Sequence, residues 1–247
     1  MKLDFECDEG LGERAALGLI VLQADETIET EFRRLFDLEN VVLYHTRIES
    51  APEVTPETLM QMKAQLSSSA ALLPGNRPLD VVGYACTSGA TVIGSDAVAT
   101  AVQKAHPGVE VTNPARAVLE ALRHLNVSRI GVVSPYVAEV SEAVCTLLRE
   151  NDMTPVTVGS FGQAEEAVVA RITNDSVEKA ICAIGADPEV DAVFASCTNL
   201  RTLPVIEACE RKLGKPVISS NLALAWHMLT LAGISTREIG PGKLFNS

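Results

Sequence analysis

At 247 residues, 47% hydrophobic but only 4% aromatic, the chain is long enough to bury a large core and draws its apolar volume chiefly from Ala, Val and Leu. That mix suits parallel α/β packing better than an all-β sandwich. A formal net charge of −12 argues against nucleic acid or an anionic membrane as partner. The opening "MKLDFECDEG" turns acidic at once and has no apolar h-region. The most apolar late stretch, "NLALAWHMLTLAGI" (221–234), is too short to span a bilayer and contains His227. A cytoplasmic protein with its six cysteines reduced is therefore expected. None of the six forms a C-x-x-C or His/Cys cluster with zinc spacing, so no metal site is expected.

In chain order, strands are expected over 17–22, 40–45, 79–85, 109–112, 129–133, 154–158, 191–195 and 216–219. Helical patterns fill the intervals at 26–37, 56–72, 88–105, 115–125, 137–151, 164–172, 175–186, 199–212 and 221–232. Thr55-Pro56-Glu57 reads as an N-cap followed by proline at the first helical position, and Asn113-Pro114 and Asn174-Asp175-Ser176 are similar entries. The alternation predicts βαβ units and parallel sheets.

The chain also repeats itself. "LGLIVLQ" (17–23) matches "RIGVVSPY" (129–136), and "VTNPARAVLEAL" (111–122) resembles "ISSNLALAWHML" (218–229). Between them "DVVGYACTSGA" (80–90) returns as "DAVFASCTNLR" (191–201), with Cys86 and Cys197 in matching places. Matches in the same order at nearly constant offset predict two similar α/β lobes, 1–114 and 115–217, with 218–247 packing back on the first.

In an open parallel sheet, ligands sit beyond the carboxyl ends of the strands, where both cysteines fall. The residues after each (Thr87, Ser88 and Gly89; Thr198 and Asn199) are expected to open a helix whose N–H groups and hydroxyls receive a carboxylate. The same helix terminus favours thiolate, so each cysteine is expected to serve as a base near neutral pH. With one sulfur on each side of a cleft, one thiolate removes a proton from carbon while the opposite thiol delivers another, inverting a stereocentre. Cys7, Cys145, Cys182 and Cys209 have no partner motif and read as small buried hydrophobes. His227 reads as a core histidine, while His45 follows an apolar strand that could bring it to the cleft. Asn113 and Asn221 occupy equivalent repeat positions that suit helix capping.

"ACTSGA" and "SCTNLR" on a duplicated α/β framework resemble the aspartate/glutamate racemase superfamily, and within it the branch of maleate cis-trans isomerases and arylmalonate decarboxylases. The resemblance covers about residues 17–232. It implies two pseudo-symmetric lobes with the active site between them, no cofactor, a small-molecule carboxylate substrate and a homodimer. Racemases of the superfamily use both cysteines as acid and base, and maleate isomerases use the first as nucleophile on an alkene carbon. Arylmalonate decarboxylases keep only the second, so the pair argues against decarboxylation.

Carried over by position, Tyr136 in "SPY" is implied to donate a hydrogen bond to substrate; Gln23, read from the chain itself, is a further candidate carboxylate binder through side chain or backbone. Two positions depart from the branch. Where maleate isomerases have a carboxylate-binding asparagine after the first strand, this chain reads "LQADETIETE" (22–31) and places Asp25; a second such asparagine falls at Glu166. A carboxylate beside a dicarboxylate buries like charges, whereas one facing an ammonium makes a charge-assisted hydrogen bond. Asp25 also suits an N-cap for 26–37, and Glu166 a solvated helix face. "GLIVLQADETIETEFRRL" (18–35) with both cysteines is most similar to an ectoine-utilisation branch of the superfamily. That resemblance implies a racemase or epimerase acting on an amino-acid-like carboxylate in ectoine or hydroxyectoine breakdown. A maleate-type isomerase and a non-catalytic two-lobed binding protein are the alternatives.

Overall fold

A computed structural model describes residues 1–8 and 10–247. Strands β1 (Ala15–Leu22), β2 (Val41–Ile48), β3 (Val81–Ala85) and β4 (Glu110–Thr112) form one parallel sheet in the order β2-β1-β3-β4. Strands β5 (Arg129–Tyr136), β6 (Thr154–Gln163), β7 (Ala192–Ala195) and β8 (Val217–Ser219) form a second in the same relative order, β6-β5-β7-β8. The sequence repeat is thus a repeat of topology. The inner strands β1, β3 and β7 are buried along their whole length, as continuous apolar runs covered on both faces require.

The helices of the first half are α1 (Ile28–Leu35), α2 (Pro56–Gln61), α3 (Leu66–Ala70), α4 (Thr87–Ile93), α5 (Ser95–Gln103) and α6 (Pro114–His124). Those of the second are α7 (Ala138–Arg149), α8 (Glu166–Val169), α9 (Asn174–Gly185), α10 (Ile206–Leu213), α11 (Ser220–Leu231) and α12 (Gly242–Phe245). All eight expected strands are present, but four expected helices differ. The 56–72 pattern is broken by a 3-10 turn at Met62–Ala64, so Leu59, Met62, Leu66 and Ala70 all reach the core. The 88–105 pattern divides at Gly94, whose φ of 89° no other residue adopts cheaply. The pattern at 164–172 contracts to α8. The pattern at 199–212 becomes helical only from a 3-10 turn at Leu203–Val205, because Pro204 is tolerated in a first turn and not in a helix interior.

Helix α11 leaves the second sheet and packs against α6 and against β3 and β4 of the first. Every residue from Ser220 to Leu229 is buried, so this helix is apolar nearly all round. Gly83 makes room for it: a β-carbon there would stand 2.7 Å from the Met228 sulfur. Next to that contact, His227 Nδ1 and the Thr112 hydroxyl are 2.7 Å apart, which makes His227 a satisfied core histidine. Burial holds its pKa below the ordinary value.

Candidate active site

Strands β3 and β7 deliver their cysteines to one small pocket. Cys86 and Cys197 line it together with Asp25, Thr87, Ser88, Tyr136, Glu166 and Thr198, and Leu22, Val54 and Leu59 supply its apolar wall. The pocket is narrow: about 10 Å³ is open to the centre of a water molecule, roughly one water's worth. A strap of the first half lies across the second, with Val54 N–H donating to Ala164 O and Glu166 N–H to Pro52 O, each at 3.1 Å. A substrate of amino-acid size needs more room than this pocket offers.

The two sulfurs are held in different ways. Cys86 is the N-cap of α4, its Sγ accepting from Gly89 N–H at 3.1 Å. No helix follows Cys197, contrary to expectation. The chain there runs through bends until Leu203, and Sγ accepts from Asn199 N–H at 3.2 Å. The Tyr136 hydroxyl lies 3.1 Å from Cys197 Sγ and donates to Glu166 Oε1 at 2.7 Å. Ser220 ties the two halves, its Oγ accepting from the Thr87 hydroxyl at 2.7 Å and from Cys197 N–H at 3.0 Å.

The expectation of easily formed thiolates is corrected. Burial pushes the Cys86 thiol up to about 12, with Glu166 and Asp25 adding to the rise and Gly89 N–H opposing it. Cys197 is also raised, by burial first and then by the charge of Glu166, against its contacts with the Tyr136 hydroxyl and the Asn199 N–H. At neutral pH both are thiols unless a positive charge or a proton acceptor acts on them.

Asp25 braces the start of α1, although the N-cap residue itself is Thr27. Asp25 Oδ1 accepts from Thr27 N–H at 2.8 Å and Ile28 N–H at 2.9 Å, while Oδ2 is buried with no hydrogen-bond partner. The neighbouring Thr198 hydroxyl acts on the Asp25 carboxyl, opposing its rise, and makes a long contact of 3.4 Å to Ala85 O. Arg47 braces the turn through the carbonyls of Leu22, Gln23 and Asp25. Burial raises the Asp25 carboxyl above its ordinary value. Glu166 is no solvated face: it is 5% exposed, and Asn199 Nδ2 donates to its Oε2 at 2.7 Å.

Two expected binders are displaced. The Gln23 side chain is exposed, because β1 ends at Leu22 and the next residue turns to solvent. Asn199 is buried behind Glu166, its amide oxygen accepting from Glu26 N–H at 2.9 Å. His45 is exposed on β2 and does not line the pocket. Asn113 caps α6, but Ser219 caps α11, and Asn221 instead donates to Glu31 and to Thr198 O. The sequence reading missed Ser220, although "ISSN" was inside the repeat. It also missed Glu31, whose buried carboxylate holds Thr202 N–H and Leu203 N–H, each at 2.8 Å.

Over 153 residues the chain is 33% identical to the arylmalonate decarboxylase of Bordetella bronchiseptica, a match spanning 61% of this chain and 64% of that protein. It is 28% identical over 238 residues to the maleate isomerase of Nocardia farcinica, covering 92% of this chain and 94% of the relative. A serine-for-cysteine variant of the Nocardia enzyme has been solved with a covalently bound succinylcysteine intermediate. It superimposes at a TM-score of 0.82 with 26% identity, over 94% of this chain and 98% of that one. The maleate isomerase of Pseudomonas putida S16 shares the fold at a TM-score of 0.86 and 24% identity, covering 94% and 98%. The family profile described as Amdase, arylmalonate decarboxylase, matches residues 17–245, and the chain belongs to that family of enzymes.

Proposed function

We propose that the protein is a cofactor-independent racemase or epimerase, inverting the α-carbon of an amino-acid-like carboxylate by proton transfer between Cys86 and Cys197. The observation that carries this reading is the unpartnered, buried Oδ2 of Asp25 in the pocket that both sulfurs line. A buried carboxylate oxygen without a donor is costly, and an ammonium supplies both donor and charge. The same ammonium cancels the charge with which Asp25 raises both thiols, so substrate binding itself favours the thiolate. One thiolate then takes the α-proton while the opposite thiol returns one from the other face. Ser88 and Thr198 are the proposed partners of the substrate carboxylate; the Thr87 hydroxyl is committed to Ser220 and contributes through position. The similarity of 18–35 to the ectoine-utilisation branch supports a diaminobutyrate-like substrate. The reading takes 1–114 and 115–217 as lobes closing on that substrate, in a homodimer of the cytoplasm.

A second reading is a maleate-type cis-trans isomerase, with Cys86 adding to the double bond and Cys197 protonating. The maleate isomerases among its relatives favour it. Incubation of candidate amino acids in D₂O, followed by NMR at the α-proton, separates the two. Exchange that vanishes in both Cys86→Ala and Cys197→Ala supports the racemase; conversion of maleate to fumarate without amino-acid exchange sinks it.

A further inference from the structure

The two thiols are chemically unequal, and the difference lies in what their tyrosines touch. Tyr136 has one hydroxyl hydrogen, and Glu166 Oε1 accepts it at 2.7 Å. The contact of 3.1 Å between the same hydroxyl and Cys197 is therefore made by the S–H donating to the phenol oxygen. Cys86 also has a tyrosine, Tyr84, whose hydroxyl acts on the Cys86 thiol and lies 3.6 Å from the Met62 sulfur, but it reaches no carboxylate. Asn199 completes the asymmetry: its amide holds Glu166 Oε2 while its backbone N–H donates to Cys197 Sγ.

We propose that Cys197, Tyr136 and Glu166 form a proton relay in which Glu166 stores the proton that Cys197 gives up on becoming a thiolate. The role rests on reading the cysteines as acid and base. In the transfer the S–H bond breaks and its proton joins the Tyr136 oxygen. The original phenolic proton moves to Glu166 Oε1, forming a carboxylic acid. Negative charge passes from carboxylate to sulfur, and no proton leaves the site. With both oxygens engaged, Glu166 serves the thiol, which leaves the ammonium to Asp25. Cys86 has no such outlet and starts as the acid.

The titratable groups facing this chain of atoms are Asp25 ahead of α1, Cys86 at the end of β3, Tyr136 on β5 and Glu166 on α8. All are acids, and Arg47 on β2, the cation that acts on Asp25, is committed to backbone carbonyls and Glu29. Glu166 is the available acceptor.

The test is alkylation of Cys197 by iodoacetamide, with no substrate present, followed by mass spectrometry in the full-length protein between about pH 5 and 10. In the wild type the rate is expected to rise as Glu166 ionises, above the ordinary carboxylate range because burial raises it, and then to level. In Glu166→Gln and in Tyr136→Phe the level stretch disappears, and alkylation near neutral pH falls roughly tenfold or more. Glu166→Gln removes a negative charge, so a purely electrostatic part for Glu166 predicts faster alkylation, the opposite sign; Tyr136→Phe keeps the charge and cuts only the path. A wild-type rate that climbs steadily with hydroxide, or a Glu166→Gln rate at or above wild type, overturns the relay. Failure of the racemase reading shows elsewhere, as absent α-proton exchange in the wild type.

Discussion

Asp25→Asn should make the protein more stable and a poorer binder of amino acids. The asparagine Oδ1 can keep both bonds to Thr27 and Ile28, while Nδ2 replaces the one oxygen that has no partner. Relieving an unsatisfied, desolvated carboxylate oxygen is worth about 2 kcal/mol. In a chain of this length that corresponds to a rise in Tm of about 4–8 °C. The pH dependence fixes the cause. Burial raises the folded-state pKa of Asp25, so its stabilising neutral form is fully present below the unfolded value of 3.8 and is lost as pH rises through the folded value. The Tm difference between variant and wild type should therefore be larger near pH 8 than near pH 4, close to the unfolded value. Differential scanning calorimetry at both pH values measures it. Taking the difference removes His45 and His227, whose lowered pKa values work in the opposite direction. A variant that melts below wild type at the higher pH, or a gap independent of pH, would refute the assignment of strain to Oδ2.

Three further outcomes follow from other contacts. Gly83→Ala places a β-carbon 2.7 Å from the Met228 sulfur and 3.1 Å from Leu19 Cδ1; it should cost about 1–3 kcal/mol in urea unfolding, and a neutral result would mean α11 is not seated on β3. Asn221→Ala leaves Glu31 Oε2 and Thr198 O without their amide donor. A loss of about 1–3 kcal/mol is expected, with reduced α-proton exchange because the loop carrying Cys197 loosens; unchanged stability would contradict the bonding described. Gly94→Ala forces an L-residue to φ 89° between α4 and α5 and should lower Tm by about 2–4 °C, equivalent to roughly 1 kcal/mol; an unchanged Tm would show that the break is not glycine-dependent.

The strands were legible because buried parallel strands announce themselves as short apolar runs between turn residues, and the duplication made each run a check on its counterpart. Helix interruptions were less so: Gly94 and Pro204 were visible as residues, but the apolar pattern runs through both. At the site, Cys86 and Cys197 stood out through repetition, and Asp25 and Glu166 through departure from a familiar pattern. Their partners did not. Asn199 meets Glu26 from 173 positions away, and Asn221 meets Glu31 from 190. Such contacts have no local signature, since the propensity of an asparagine says nothing about which distant backbone N–H or carboxylate it will find. The thiol pKa was misjudged for a related reason: a helix terminus is a local feature, whereas burial is a property of the whole fold.

Helix α11 has a consequence for how the molecule comes apart. Its residues belong by sequence to the end of the second repeat, yet its side chains complete the core over β3 and β4, with Met228 against Gly83 and His227 against Thr112. Neither repeat owns a finished interior. Melting should then be a single cooperative event, and a chain cut near residue 125 should yield two fragments that gain structure only when mixed.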